Sequence, residues 1–159
     1  MRWLSDHFTI EEAAASQYAA RTDVSNEPPF DLMPALQVVA QRVLEPIRAR
    51  FGAFSPTSWY RSPYVNRMIG GKPNSQHVKG EAVDVKVPGI PTRVLAEWCR
   101  DNLQYDQLIL EFHDPATPYS GWVHISATAD DNRGQTLTIL PGGAVKPGLF
   151  PPIEEVSNA

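Results

Sequence analysis

His77, Asp84 and His124 have the types and the spacing to hold one divalent ion and leave a position open. His77 and Asp84 sit in Ser75-Gln76-His77-Val78-Lys79-Gly80-Glu81-Ala82-Val83-Asp84, and His124 follows in Gly121-Trp122-Val123-His124-Ile125. Three nitrogen and oxygen donors form the ligand count of catalytic zinc, whereas structural zinc is closed by four ligands, often thiolates. Cys99 is the chain's single cysteine, so a thiolate-rich structural site is excluded. A catalytic ion of this kind works with a carboxylate outside the ligand set, which takes the proton of water as it attacks a carbonyl carbon and passes it to the leaving amine. Glu111 is the candidate for that role, with His113 as the alternative. Arg61, in Ser58-Trp59-Tyr60-Arg61-Ser62-Pro63, can pair with a substrate carboxylate or stabilise a developing oxyanion. Ser75, two residues before His77, can contact substrate or orient the ligand. The chain has no His-Glu-x-x-His, which excludes a helix-borne zinc peptidase site.

The elements that must position these groups can be read from periodicity. In Glu81 to Val87 the valines alternate, so Val83, Val85 and Val87 share one face while Ala82, Asp84 and Lys86 share the other. Asp106–Phe112 and Gly121–Ser126 read as two more strands. Gln107, Ile109 and Glu111 share a face of the first, and Trp122, His124 and Ser126 a face of the second. If the two pair antiparallel, Glu111 and His124 point into one groove. A further strand is expected over Thr136–Leu140, and Ser55–Tyr60 also reads as extended. Thr9-Ile10-Glu11-Glu12 is a capping box that opens a helix to about Ala20. Asp31 caps a long amphipathic helix that reaches Gly52, with a bend or break at Pro46. Ser62-Pro63 starts a short helix stopped by Gly70-Gly71. Pro91–Leu103 forms another, with Val94, Leu95, Trp98 and Cys99 inward.

At 159 residues, 42% hydrophobic and 20% charged, the chain has the size and composition of one globular domain. We expect an α+β fold, a small, mainly antiparallel sheet flanked by helices, over residues 1–140. A Pro- and Gly-rich extended tail is expected over 141–159. A formal charge of -4 without a basic run gives no footprint for nucleic acid. No apolar run is long enough for membrane insertion. The first residues meet polar side chains too early for a secretory signal, so synthesis in the cytoplasm is expected.

The pattern Ser75-x-His77-x-x-Gly80-x-Ala82-x-Asp84, then Trp122-Val123-His124, resembles the zinc D-alanyl-D-alanine carboxypeptidase family. That group belongs to the hedgehog/DD-peptidase superfamily, which includes L-alanyl-D-glutamate endopeptidases of phage lysins. Tyr60-Arg61-Ser62-Pro63-x-x-Asn66 and Gly70-Gly71 extend the likeness, which runs from His7 to about Leu140. The resemblance implies a hedgehog/DD-peptidase-like fold and one Zn2+ on His77, Asp84 and His124. It implies that Arg61 acts on the substrate or transition state, and that the substrate is a peptidoglycan stem peptide. Many relatives carry the catalytic carboxylate three residues before the last histidine ligand. Gly121 stands there in this chain, and Glu111 is its replacement. Compact members occur in phage and prophage genomes, implying a wall-lytic enzyme that acts after release or as part of a virion; a monomer is expected. The alternative is a non-catalytic, zinc-containing wall-binding or virion structural module.

Overall fold

The computed structural model describes residues 1–152. Thr9 caps α1 (Ile10–Ala14): its hydroxyl accepts the Glu12 N–H, and the Glu12 carboxylate accepts the Thr9 N–H at 3.0 Å. The helix does not run to Ala20. Ala15 is extended, and Ser16 starts afresh by accepting the Ala19 N–H at the head of α2 (Gln17–Thr22). A serine side chain competes for the backbone donors that would otherwise continue the helix. From Phe30 the chain winds without a break to Phe51, through a 3₁₀ turn (Phe30–Leu32), α3 (Met33–Val39), a π turn (Ala40–Leu44) and α4 (Glu45–Phe51). Asp31 does not cap this helix; it lies inside the 3₁₀ turn, and Pro29 holds the N-cap position. The bend expected at Pro46 takes the form of the π turn. Proline has no N–H for the carbonyl four residues back and crowds it, and a widened turn relieves both conflicts.

Among the described residues five strands form one sheet in the order β1-β3-β2-β4-β5: β1 (Ala82–Val85), β2 (Gln107–Glu111), β3 (Trp122–Ser126), β4 (Gln135–Ile139) and β5 (Val145–Pro147). All neighbours run antiparallel except β2 and β4, which are parallel. The rear face carries Val83, Val85, Leu108, Leu110, Val123 and Ile125, all fully buried. A slip of one residue would turn these side chains outward, at roughly 1.5–3 kcal/mol each, so burial holds the register. Leu95, Ala96 and Cys99 of α6 (Thr92–Asn102) are buried as this helix packs on β2 and β3. Leu36, Val39, Val43, Leu44 and Ile47 of the long helix complete the same core. Val94, expected inward, is 46% exposed. One helical step of about 100° separates it from Leu95 and carries it out of the buried stripe. Ser55–Tyr60 contributes a single bridge, Ser58 opposite Asp84, rather than a strand; Pro56 has no N–H to donate to a ladder.

The C-terminal segment, expected as an extended tail, supplies β5 on the edge of β4. The Thr138 hydroxyl donates to Gly148 O at 2.8 Å and accepts the Phe150 N–H at 2.9 Å, while Leu149 is buried. Residues 153–159 of the expected tail lie outside the described residues.

Candidate metal centre

His77 lies in the turn-rich loop between α5 (Pro63–Met68) and β1, almost fully buried. Its Nδ1–H donates to Trp59 O at 2.6 Å, its N–H to Ser75 Oγ at 3.2 Å, and its carbonyl accepts the Arg61 N–H at 3.2 Å. A carbonyl can only accept, so the proton sits on Nδ1 and Nε2 keeps its lone pair. That Nε2 is buried and has no hydrogen-bond partner among the described residues; Asp84 Oδ1 stands 3.4 Å away. Asp84 faces His124 directly across the β1–β3 ladder, and His124 Nδ1 is 3.0 Å from the same oxygen. The bridge to Ser58 ties Asp84 from its other edge, its N–H donating to Ser58 O at 2.7 Å.

The three donor atoms lie within 4.8 Å of one another. Two ligands about 2.0–2.2 Å from a common tetrahedral zinc stand roughly 3.3 Å apart, close to the 3.4 and 3.0 Å that separate Asp84 Oδ1 from the two imidazoles. Burial works against the charge of Asp84, but His124 and His77 outweigh it and hold the carboxyl well below the usual range. An ionised aspartate and an orphaned imidazole lone pair suit a divalent cation.

Glu111 lies on the same sheet face, Oε1 3.9 Å from His124 Nδ1. Burial and the charge of Asp84 raise its pKa, against the pull of His124 and Arg61. The guanidinium of Arg61 donates from Nη1 to Asn66 Oδ1 at 3.2 Å, while its buried Nε has no partner among the described residues. Burial lowers its pKa, opposed by Asp84 and Glu111. Ser75 lines the groove as well as bracing His77. His113 is not among the lining residues. Its Nδ1–H donates to Ser120 O at 3.0 Å, after Phe112 turns the chain at a positive φ of 55°. Gly121 has φ +70°, and a Cβ there would stand 2.2 Å from Glu111 O and 2.6 Å from His113 N. The hairpin that carries Glu111 therefore bars any side chain from position 121.

The groove, about 1020 Å³, is braced from behind by Asn66 of the Tyr60–Asn66 motif and also receives Asp106 and Arg133, which no motif marked. Asn66 is buried and ties Arg61 to the loop carbonyl of Lys72 (2.8 Å). Its signal was Gly71, where a Cβ would stand 2.0 Å from Asn66 Oδ1. Arg133 and Asp106 form an ion pair at 2.8 Å at the Gln107 end. No short motif marks them, because they meet only through the fold.

The family model described as Peptidase M15 matches residues 6–126, which span the whole metal cluster and Glu111. The chain belongs to the Peptidase M15 family. It is thus a metallopeptidase by family, with His77, Asp84 and His124 as its possible metal site. No curated protein matches the sequence. The α+β sheet of this M15 peptidase agrees with the fold expected from the sequence. No helix among the described residues is long and apolar enough to cross a membrane.

Proposed function

We propose that this M15 peptidase is a zinc enzyme that hydrolyses an amide bond in the stem peptides of bacterial peptidoglycan, as a D,D-carboxypeptidase or endopeptidase of the phage lytic type. One observation carries the reading: His77 Nε2, Asp84 Oδ1 and His124 Nδ1 converge beside the Glu111 carboxylate in an M15 chain. Zinc, when bound, would supply a Lewis acid that polarises the scissile carbonyl and makes water acidic. The protein's residues do the rest. Trp59 O holds His77 in the one tautomer that leaves Nε2 free. Glu111 takes the proton of the attacking water and returns it to the leaving amine from a position 3.9 Å from His124 Nδ1. The guanidinium of Arg61, which lines the groove, supplies N–H donors for the peptide oxygen as it gains charge, or for a terminal carboxylate. Phe112 and Trp122, their rings 5.3 Å apart, wall the groove beside Glu111.

The test is a defined muropeptide incubated with zinc-loaded protein, with fragments identified by mass. Cleavage by the wild type, absent in a Glu111→Gln variant that keeps its zinc, supports the reading, and the fragment masses separate exopeptidase from endopeptidase. A protein that holds zinc and pellets with cell wall, yet releases nothing from any stem chemistry, is a binding module and sinks the peptidase assignment.

A further inference from the structure

We propose that Arg133 is a second carboxylate-binding residue of the groove, selecting stem peptides that carry a free, un-amidated carboxylate on the Gln107 side of the metal cluster. This rests on the peptidase reading above and names the substrate form that the site prefers. Arg133 lies beyond the family match, in the loop before β4, and lines the groove. Asp106 grips its guanidinium along one edge: Nε donates to Oδ1 at 3.0 Å and Nη2 to Oδ2 at 2.8 Å. The Arg133 N–H also donates to Oδ1 at 3.0 Å, and Gln76 Nε2 to Oδ2 at 3.1 Å. Four donors occupy the lone pairs of this carboxylate, so it orients the arginine and has little capacity left for a substrate ammonium. The other edge of the guanidinium is open. Nη1 has no hydrogen-bond partner among the described residues, and the side chain is 56% exposed. A planar fork held on one side offers its remaining N–H groups to a carboxylate with little ordering cost.

Charge in the groove agrees. Arg61, Lys72, Lys79 and Arg133 line it against Asp84, Asp106 and Glu111. Asp84 faces the metal cluster, so a bound divalent cation leaves the groove positive within a chain of formal charge -4. That field favours an anionic peptide over a neutral one. The ladder places the contact: Gln107 pairs with Ser126 on β3 and with Gln135 on β4, two residues after Arg133, whereas His124 pairs with Ile109 and Trp122 with Glu111. Asp106, which holds the guanidinium, is three residues from the His124 row, roughly 10 Å along the strand, so Arg133 addresses a group about two or three peptide residues from the scissile bond.

The experiment compares one stem peptide with its side-chain carboxylates free and the same peptide with them amidated, using wild type, Arg133→Ala and Arg133→Gln. The wild type should prefer the free form about five- to tenfold in KM, the scale of one partly exposed charged contact. Both variants should lose that preference, and glutamine covers the case in which alanine unsettles the loop. A preference that survives in both variants, or a wild type that has none, overturns the proposal. If the wild type cleaves neither peptide the peptidase reading fails instead, and calorimetric binding of the two peptides to wild type and variants still decides the role of Arg133.

Discussion

Glu111 and Asp106 are both carboxylates on or beside β2, and their surroundings push them in opposite directions. Glu111 is raised by burial and by Asp84; replacing this proposed base with glutamine keeps the shape and removes the carboxylate. Glu111→Gln should lower kcat by about 10²–10⁴-fold, the usual worth of a positioned acid–base group, with zinc content unchanged by metal analysis. Asp106 goes the other way: the hydrogen bonds from Arg133, working against burial, lower it to about 2 from a usual 3.8. A depressed folded-state pKa gives stability that is present above the unfolded value and is lost as pH falls through the folded one. With Arg133 half exposed and screened, the contribution is about 1 kcal/mol rather than the full linkage value. Asp106→Asn should therefore cost about that much in urea unfolding at pH 6, and the gap to wild type should close between about pH 4 and 2. At this scale the convergence of His77, Asp84 and His124 was legible because the chain has only four histidines and Asp84 stands in the same short motif as His77. The Asp106–Arg133 pair was not, since its members meet only in the tertiary structure, and Asn66 stood in the motif without its contacts to Arg61 and Lys72 O being readable.

Among the elements, the β2–β3 hairpin carries the most of the site. Its register sets Glu111 and His124 on one face, and alternation alone made that readable. What alternation could not show is how tightly the turn closes. Position 121 has room for a hydrogen and nothing larger. Gly121→Ala should cost at least about 2 kcal/mol by thermal denaturation, combining left-handed strain with a backbone clash. It should also lower turnover, because the clash falls on the carbonyl of Glu111 itself; unchanged stability would show that the turn has slack. Sequence periodicity missed the break at Ser16 and the outward Val94 for a common reason. Hydrophobic pattern marks a stripe, while local side-chain capping and the exact rotation of a helix decide which residue at the stripe's edge goes inside. The short edge strand β5 escaped because three residues flanked by Pro and Gly carry almost no pattern of their own.

At the scale of the molecule, the metal cluster joins the loop before β1 to two strands of the sheet, so an ion there ties separate parts of the chain together. Adding zinc at a hundred times its dissociation constant to chelated protein should stabilise it by about 2.7 kcal/mol, seen as a rise in Tm. His77→Ala should abolish that rise, and a variant that kept it would place the ion elsewhere. The groove's positive balance should make kcat/KM for an anionic peptide fall as salt increases, while a neutral peptide stays flat. The sheet order has one more outcome for the whole protein. β4 runs parallel alongside β2, and it reaches the groove from a stretch of chain that the family match does not include. The cleft thus has one jaw built by the shared motif and a second to which Arg133 and Ile139 contribute. Grafting that second jaw from a relative should transfer its taste in substrate and leave the grip on the ion intact.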